Sequence, residues 1–273
     1  MSSNIYNTNL VTIAVPVYKE FSTKFELYSL ERCCTILNKY PISVITHKDL
    51  NIQVYINVLE QFGAAYKVIY FEKKYFETIN GYNLLMISPF FYQSFSAYKF
   101  LLIYQLDAFV FSDKLIDWCT KGFDYVGAPW LFVNWENKKS INDKLPKWAS
   151  FPFFFQLFRG KDGLVGNGGF SLRKVESHIK YSIQYNGVFP SLNFNEDIFW
   201  GKFVAAKEKY FTIPLAKEAL SFSIESNPSG CLKLLNGNLS FGCHAWDKED
   251  IQSWDEVFNK AGVDISNFAT AKN

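Results

Sequence analysis

The feature that most constrains this chain is an alternation of short apolar runs and helix-length stretches between Leu10 and Phe71. Leu10–Tyr18 (LVTIAVPVY) is a β-branched run that reads as a buried strand. Pro16 falls near its end, where a missing N–H matters least. Thr23 and Glu26 then have capping-box spacing. Phe25, Tyr28, Cys33, Ile36 and Leu37 approximate one apolar helix face, and Pro41 stops that helix. Ile42–Thr46 (ISVIT) reads as a second strand, about Leu50 to Phe62 as a helix ending at Gly63, and Lys67–Phe71 as a third strand. Strand, helix, strand, helix, strand is the pattern of a parallel, doubly wound α/β sheet.

The pattern continues. Tyr82–Phe95 reads as helical with a break near Pro89. Phe100–Phe111 (FLLIYQLDAFVF) is the strongest strand signal. It is apolar almost throughout, as central parallel strands are, with Gln105 and Asp107 embedded in it. A short helix, Asp113–Cys119, closes at Gly122, and Tyr125–Val126 reads as a strand entering the turn Gly127–Trp130. Trp135–Arg159 is a long, poorly periodic connection. Gly169–Arg173 reads as a strand, and Val175–Tyr185 and Asp197–Lys209 as helices. Without repeats, low-complexity tracts or a linker, the expectation is one domain over 1–273 with a core at about 10–254.

Composition closes off several classes. A net charge of +2 gives no basic face for nucleic acid. Five cysteines, an odd number with no CxxC pair, suggest free, mostly buried thiols in a reducing compartment. Met1–Asn9 lacks the basic and apolar regions of a signal peptide. No apolar run reaches the length of about 18 residues that a membrane-spanning helix needs. The expected location is the cytoplasm, with peripheral membrane attachment left open.

Four segments carry candidate chemistry. Asp107 lies where ligands bind in open α/β sheets, beyond the carboxyl ends of strands. A carboxylate there either holds a divalent cation on a diphosphate or caps the following turn. Gly166-Asn167-Gly168-Gly169 has three glycines in four residues, which either lets a backbone approach a ligand or makes a flexible turn. It is not a dinucleotide fingerprint, and no GxxxxGK[ST] loop is present. Asn195-Glu196-Asp197 opens a helix, whose dipole alone accounts for acids. A general base taking a proton from an acceptor hydroxyl is the functional alternative. Of three histidines, only His244, in Phe241-Gly242-Cys243-His244-Ala245-Trp246, sits among glycine and aromatics. A zinc site on Cys243 and His244 lacks a second ligand pair.

The order of YQLDAF, WCTKGFDYVGAPW, GNGGFSLRK, NEDIFWG and FGCHAW closely resembles a bacterial domain family related to GT-A glycosyltransferases, many of whose members are of unknown function. The likeness spans roughly Leu10 to Trp254. It implies a GT-A fold, a Rossmann-like, doubly wound mixed sheet flanked by helices. It also implies transfer of a sugar from a nucleotide-sugar, a UDP-sugar by default, to a glycan or lipid-linked acceptor. By this resemblance Pro16, Val17, Tyr18, Thr46 and His47 border the nucleotide. Gln105-Leu106-Asp107 falls at the DxD motif, with Gln105 replacing the first acid. Asp107 and His244 would hold Mn²⁺ or Mg²⁺. Asn167, Gly168 and Gly169 would cradle the donor sugar. Asp197 would be the base of an inverting reaction, and Glu196 would contact acceptor or donor.

Other readings stay open. The missing acid at Gln105 suits a sugar or nucleotide-sugar binding module without catalysis. A nucleotidyltransferase wants a glycine- and basic-rich loop after the first strand, which Pro16–Glu20 does not supply. Trp148–Phe158, with Arg159 and Lys161, is either a membrane-resting patch or a packed connection.

Overall fold

A computed structural model describes residues 9–130, 165–188, 195–248 and 251–265. The first half alternates strands and helices: β1 (Val11–Pro16), α1 (Lys24–Ile36), β2 (Ile42–Thr46), α2 (Gln53–Gln61) and β3 (Tyr66–Tyr70). Next come α3 (Ile79–Ile87), α4 (Pro89–Gln93), β4 (Phe100–Tyr104), β5 (Ala108–Val110), α5 (Leu115–Lys121) and β6 (Tyr125–Val126). The capping box forms: Glu26 N–H donates to Thr23 Oγ1 at 3.2 Å, and Thr23 N–H to Glu26 Oε2 at 2.8 Å. Pro89 starts α4 rather than interrupting one helix, because the residue before a proline avoids helical backbone and Ser88 is extended.

The main sheet runs β3-β2-β1-β4-β7-β6, where β7 is Phe170–Lys174. The first four strands are parallel, and β7 runs antiparallel to both β4 and β6, so the sheet is mixed. From β1 the chain winds one way to β2 and β3, then returns to place β4 on the other side. That reversal leaves a crevice at the carboxyl ends of β1 and β4. Strand alternation explains the two-sided core. Phe100, Leu102 and Tyr104 pack with Leu30, Cys33 and Tyr55 on one face. Leu101 and Ile103 pack with Leu85, Phe91 and Trp200 on the other.

The run Phe100–Phe111 is not one strand, contrary to the sequence expectation. It belongs to two sheets, broken by a turn closed by Ala108 N–H on Gln105 O at 2.9 Å. The cause is polar chemistry. An uninterrupted central strand would bury Gln105 and Asp107 between packed faces, whereas a turn places them at the sheet's end. The second sheet, β5-β9-β8, pairs β5 with β9 (Gly242–His244) and β9 with β8 (Ser223–Ile224). Its core holds Phe109, Trp246, Trp254 and Phe258.

Among the described residues, the further α-helices are α6 (Val175–Gln184), α7 (Glu196–Ile198), α8 (Ala205–Lys207), α9 (Ala216–Phe222), α10 (Pro228–Leu234) and α11 (Asp255–Lys260). The expected helix Asp197–Lys209 is a composite: α7, a π-helical stretch at Phe199–Val204, then α8. Such π segments concentrate near functional sites. All five cysteines are free and buried. The connection Trp135–Arg159 lies outside the described residues. Among those described, no helix is long and apolar enough to cross a membrane.

Candidate active site

At the carboxyl ends of β1 and β4 lies a cleft of about 660 Å³. Pro16 and Tyr18 enter it from the end of β1, and Gln105, Leu106 and Asp107 from the turn after β4. Asn167, Gly168 and Gly169 come from the glycine turn before β7, and Glu196 and Asp197 from the start of α7. Residues as far apart in the chain as Pro16 and Lys248 thus line one cleft where the sheet reverses its winding. Val17, between Pro16 and Tyr18, points into the core, and Thr46 is fully buried; neither lines the cleft. His47 lines a separate groove.

His244 stands behind Asp107 at the end of β9. Its Nε2 is 3.1 Å from Asp107 Oδ1 and 3.3 Å from Gln105 Oε1. Its Nδ1 edge faces Glu225 Oε1 at 3.6 Å, and Asn167 Nδ2 donates to that same oxygen. Lys248 pairs with the other oxygen of Asp107. Burial opposes charge on Asp107, but His244 and Lys248 outweigh it and hold the carboxyl well below the usual carboxylate range. Burial likewise opposes charge on His244, and Asp107 with Glu225 reverses that, raising the imidazole to about 9.

Glu225 and Lys248 were not legible in the sequence. Glu225 follows a strand of two residues, and Lys248 returns over the cleft through a tight turn. In that turn Ala245 adopts φ +57° and Lys248 N–H donates to Ala245 O at 3.1 Å. A non-glycine residue in this region is uncommon and marks a conformation that its surroundings enforce.

The glycine turn is packed against both acid clusters. A methyl group on Gly168 would overlap Glu196 Oε1, and one on Gly169 would overlap His244 Nε2. The backbone therefore needs glycine here to admit the side chains behind it. Asn167 Oδ1 accepts from Gly169 N–H at 3.0 Å and fixes the turn.

Glu196 is buried and paired with Arg173 at 2.9 Å, while its Oε2 has no hydrogen-bond partner. Asp197, on the cleft wall, accepts from Ile198 N–H at 2.7 Å. Burial first, then the charge of Glu196, raises the Asp197 carboxyl to about 7. A carboxylate poised near neutrality is suited to accept a proton.

The donor set fits a divalent cation of modest demands. One carboxylate oxygen, one imidazole nitrogen and one amide oxygen converge, a set that Mn²⁺ or Mg²⁺ would accept once the cation displaces the proton that Asp107 and Glu225 hold on His244, with phosphate and water completing the shell. Among the described residues, no group of three or more His, Cys, Asp and Glu side chains converges on such a point. The amide oxygen of Gln105, 3.3 Å from His244 Nε2, is the group placed to serve as a third ligand were a cation bound.

The parallel β3-β2-β1-β4 order, the antiparallel β7 and the cleft at the winding reversal define a GT-A glycosyltransferase fold. Solved structures agree. The galactosyltransferase LgtC in complex with donor and acceptor sugar analogs shares 12% identity over 92% of this chain and 95% of its own, with a TM-score of 0.56. Mouse xyloside xylosyltransferase 1, apo form, shares 10% identity over 86% and 96%, with a TM-score of 0.50. The WbbM bifunctional glycosyltransferase shares 10% identity over the whole chain, which spans 53% of it, with a TM-score of 0.55. At these identities the likeness is one of fold. No curated protein matches in sequence. The chain belongs to DUF5672, a family of proteins of unknown function, whose model matches residues 65–244.

Proposed function

We propose that the protein transfers a sugar from a nucleotide-sugar to a glycan or lipid-linked acceptor with inversion, using Asp197 as general base. The observation that carries this reading is that Asp107 and Asp197, with pKa values pushed in opposite directions, line one cleft at the sheet's switch point. Acids driven apart in this way take different roles. Asp197 accepts the proton of the acceptor hydroxyl as its oxygen bonds to the sugar C1. The bond from C1 to the diphosphate breaks, and its electron pair leaves with the diphosphate. Lys248 supplies positive charge to the leaving group. Glu196, fixed by Arg173, offers its free oxygen to a sugar hydroxyl. A divalent cation on Asp107, His244 and Gln105 would supply Lewis acidity to the diphosphate when bound.

UDP-sugars are the first donors to test. A cytoplasmic setting belongs to the same reading, supported by the five free, buried thiols, and a lipid-linked acceptor would place the site beside a membrane. The second reading, a nucleotide-sugar binding module, is favoured by Gln105 standing where a second acid would strengthen the cation site. Nucleoside diphosphate release from a donor panel separates them. The enzyme releases it from at least one donor and loses this in Asp107→Asn. Tight binding without release from any donor would replace the enzyme with the module.

A further inference from the structure

A second groove, of about 480 Å³, opens at the carboxyl ends of β2 and β3. A wall formed by His47 and Phe76, with ring centroids 5.6 Å apart, separates it from the cleft, which Phe76 lines. Its floor is aromatic: Phe90 packs against Tyr75 at 5.6 Å and Phe71 at 6.1 Å, and Tyr70 lies beside them. Tyr70 is 49% exposed and Phe90 40%, so ring surface stays in water although the residues sit in one concave patch. Contiguous exposed apolar surface rimmed by polar groups marks a ligand groove.

The rim decides the ligand. Lys48 and Lys73 line it together with Asp49 and Glu72, and Glu72 is itself paired with Lys74 at 2.8 Å. With both signs interleaved along it, the rim presents hydrogen-bond donors and acceptors side by side rather than a field of one sign. His47 is buried in the wall with Nδ1 lacking a hydrogen-bond partner; the nearest charged atom is Asp49 Oδ2 at 4.0 Å. A polar atom left so is costly unless a ligand or water meets it. Neutral, polyhydroxylated molecules with C–H faces match this combination. A pyranose lays its C–H face on the negative face of an aromatic ring, and its hydroxyls pair with the carboxylates and ammonium groups of the rim.

We propose that this groove is a second saccharide-binding site, separate from the transfer cleft, which holds a neutral stretch of glycan. It does not depend on catalysis in the cleft, and binding is read independently of turnover. Saturation-transfer NMR with maltotriose, cellotriose, chitotriose and mannotriose, and with uridine as a nucleobase probe, tests it. At least one trisaccharide should bind the full chain and keep its affinity in Asp107→Asn. Tyr70→Ala should weaken it at least tenfold, while Tyr70→Phe, which keeps the ring, stays within twofold of wild type. Tyr70 is half exposed, so an unchanged melting temperature in Tyr70→Ala accompanies the loss. Three results overturn the proposal: no trisaccharide binds; binding survives Tyr70→Ala but is lost in Asp107→Asn; or uridine alone binds in a Tyr70-dependent way, making the groove a nucleobase site.

Discussion

Arg173 and Glu196 form an ion pair at 2.9 Å in which the guanidinium is wholly buried. The same guanidinium donates to Gly168 O at 3.2 Å, Tyr92 Oη at 2.8 Å and Ser171 Oγ at 3.0 Å. One side chain thus fastens the glycine turn to the helix that presents Asp197. Only a planar, five-donor group reaches these partners together. Arg173→Met should destabilise the fold by about 3–5 kcal/mol, because it leaves Glu196 charged and unpaired. In urea denaturation, the double variant Arg173→Met/Glu196→Gln should lose less than the sum of the single variants.

Asp197 sets a pH dependence whose sign follows from its raised pKa. Turnover should rise with pH through about 7 as the base ionises. Stability runs the other way. The folded state holds the proton more tightly than the unfolded chain, whose carboxyl titrates near 3.9. The folded state is therefore favoured most below about pH 4, and that advantage is lost as pH rises through about 7. Asp197→Asn should stabilise the protein by roughly 1–2 kcal/mol at pH 8, because solvent reaching the half-buried group screens part of the penalty. The gain should vanish toward pH 4 in melting curves recorded across that range.

The cation site makes a separate prediction. Mn²⁺ binding, followed by electron paramagnetic resonance without substrate, should weaken at least about tenfold in His244→Ala and in Asp107→Asn. Glu225→Gln should weaken it by a smaller factor, since Glu225 only faces the other edge of the imidazole. Unchanged affinity in all three would remove the site.

Gly169→Ala places a methyl group against His244 Nε2. Either the imidazole or the turn must move, at a cost of about 1–3 kcal/mol. Turnover should fall further than this loss of stability accounts for, because the displaced imidazole no longer supports Asp107. Melting temperature and activity measured on the same preparation check this.

Much of the fold was readable because burial on both faces leaves a strong signature. β1 and β2, buried throughout, showed as apolar runs, whereas the edge strand β3, with no buried residue, showed through Val68 and Ile69; Thr23 with Glu26 marked the start of α1. Strand alternation also separates Pro16 and Tyr18, which line the cleft, from Val17, which turns inward. The break after Tyr104 was hidden because residues on both sides of it are equally apolar; only Gln105 and Asp107 hinted at it. The second sheet was illegible for a plainer reason: β8 has two residues and β9 three, too few to show a period. Glu225 and Lys248 reach Asp107 and His244 through that sheet and an alanine turn, and no local pattern announces them.

The most direct test compares binding and turnover in wild type and Asp197→Asn with the same nucleotide-sugar. Calorimetry should show nucleoside diphosphate affinity within about twofold in both. Transfer, or donor hydrolysis without acceptor, should fall at least about 100-fold in the variant. Full turnover in Asp197→Asn, at a pH where the wild-type carboxylate is ionised, would contradict the account.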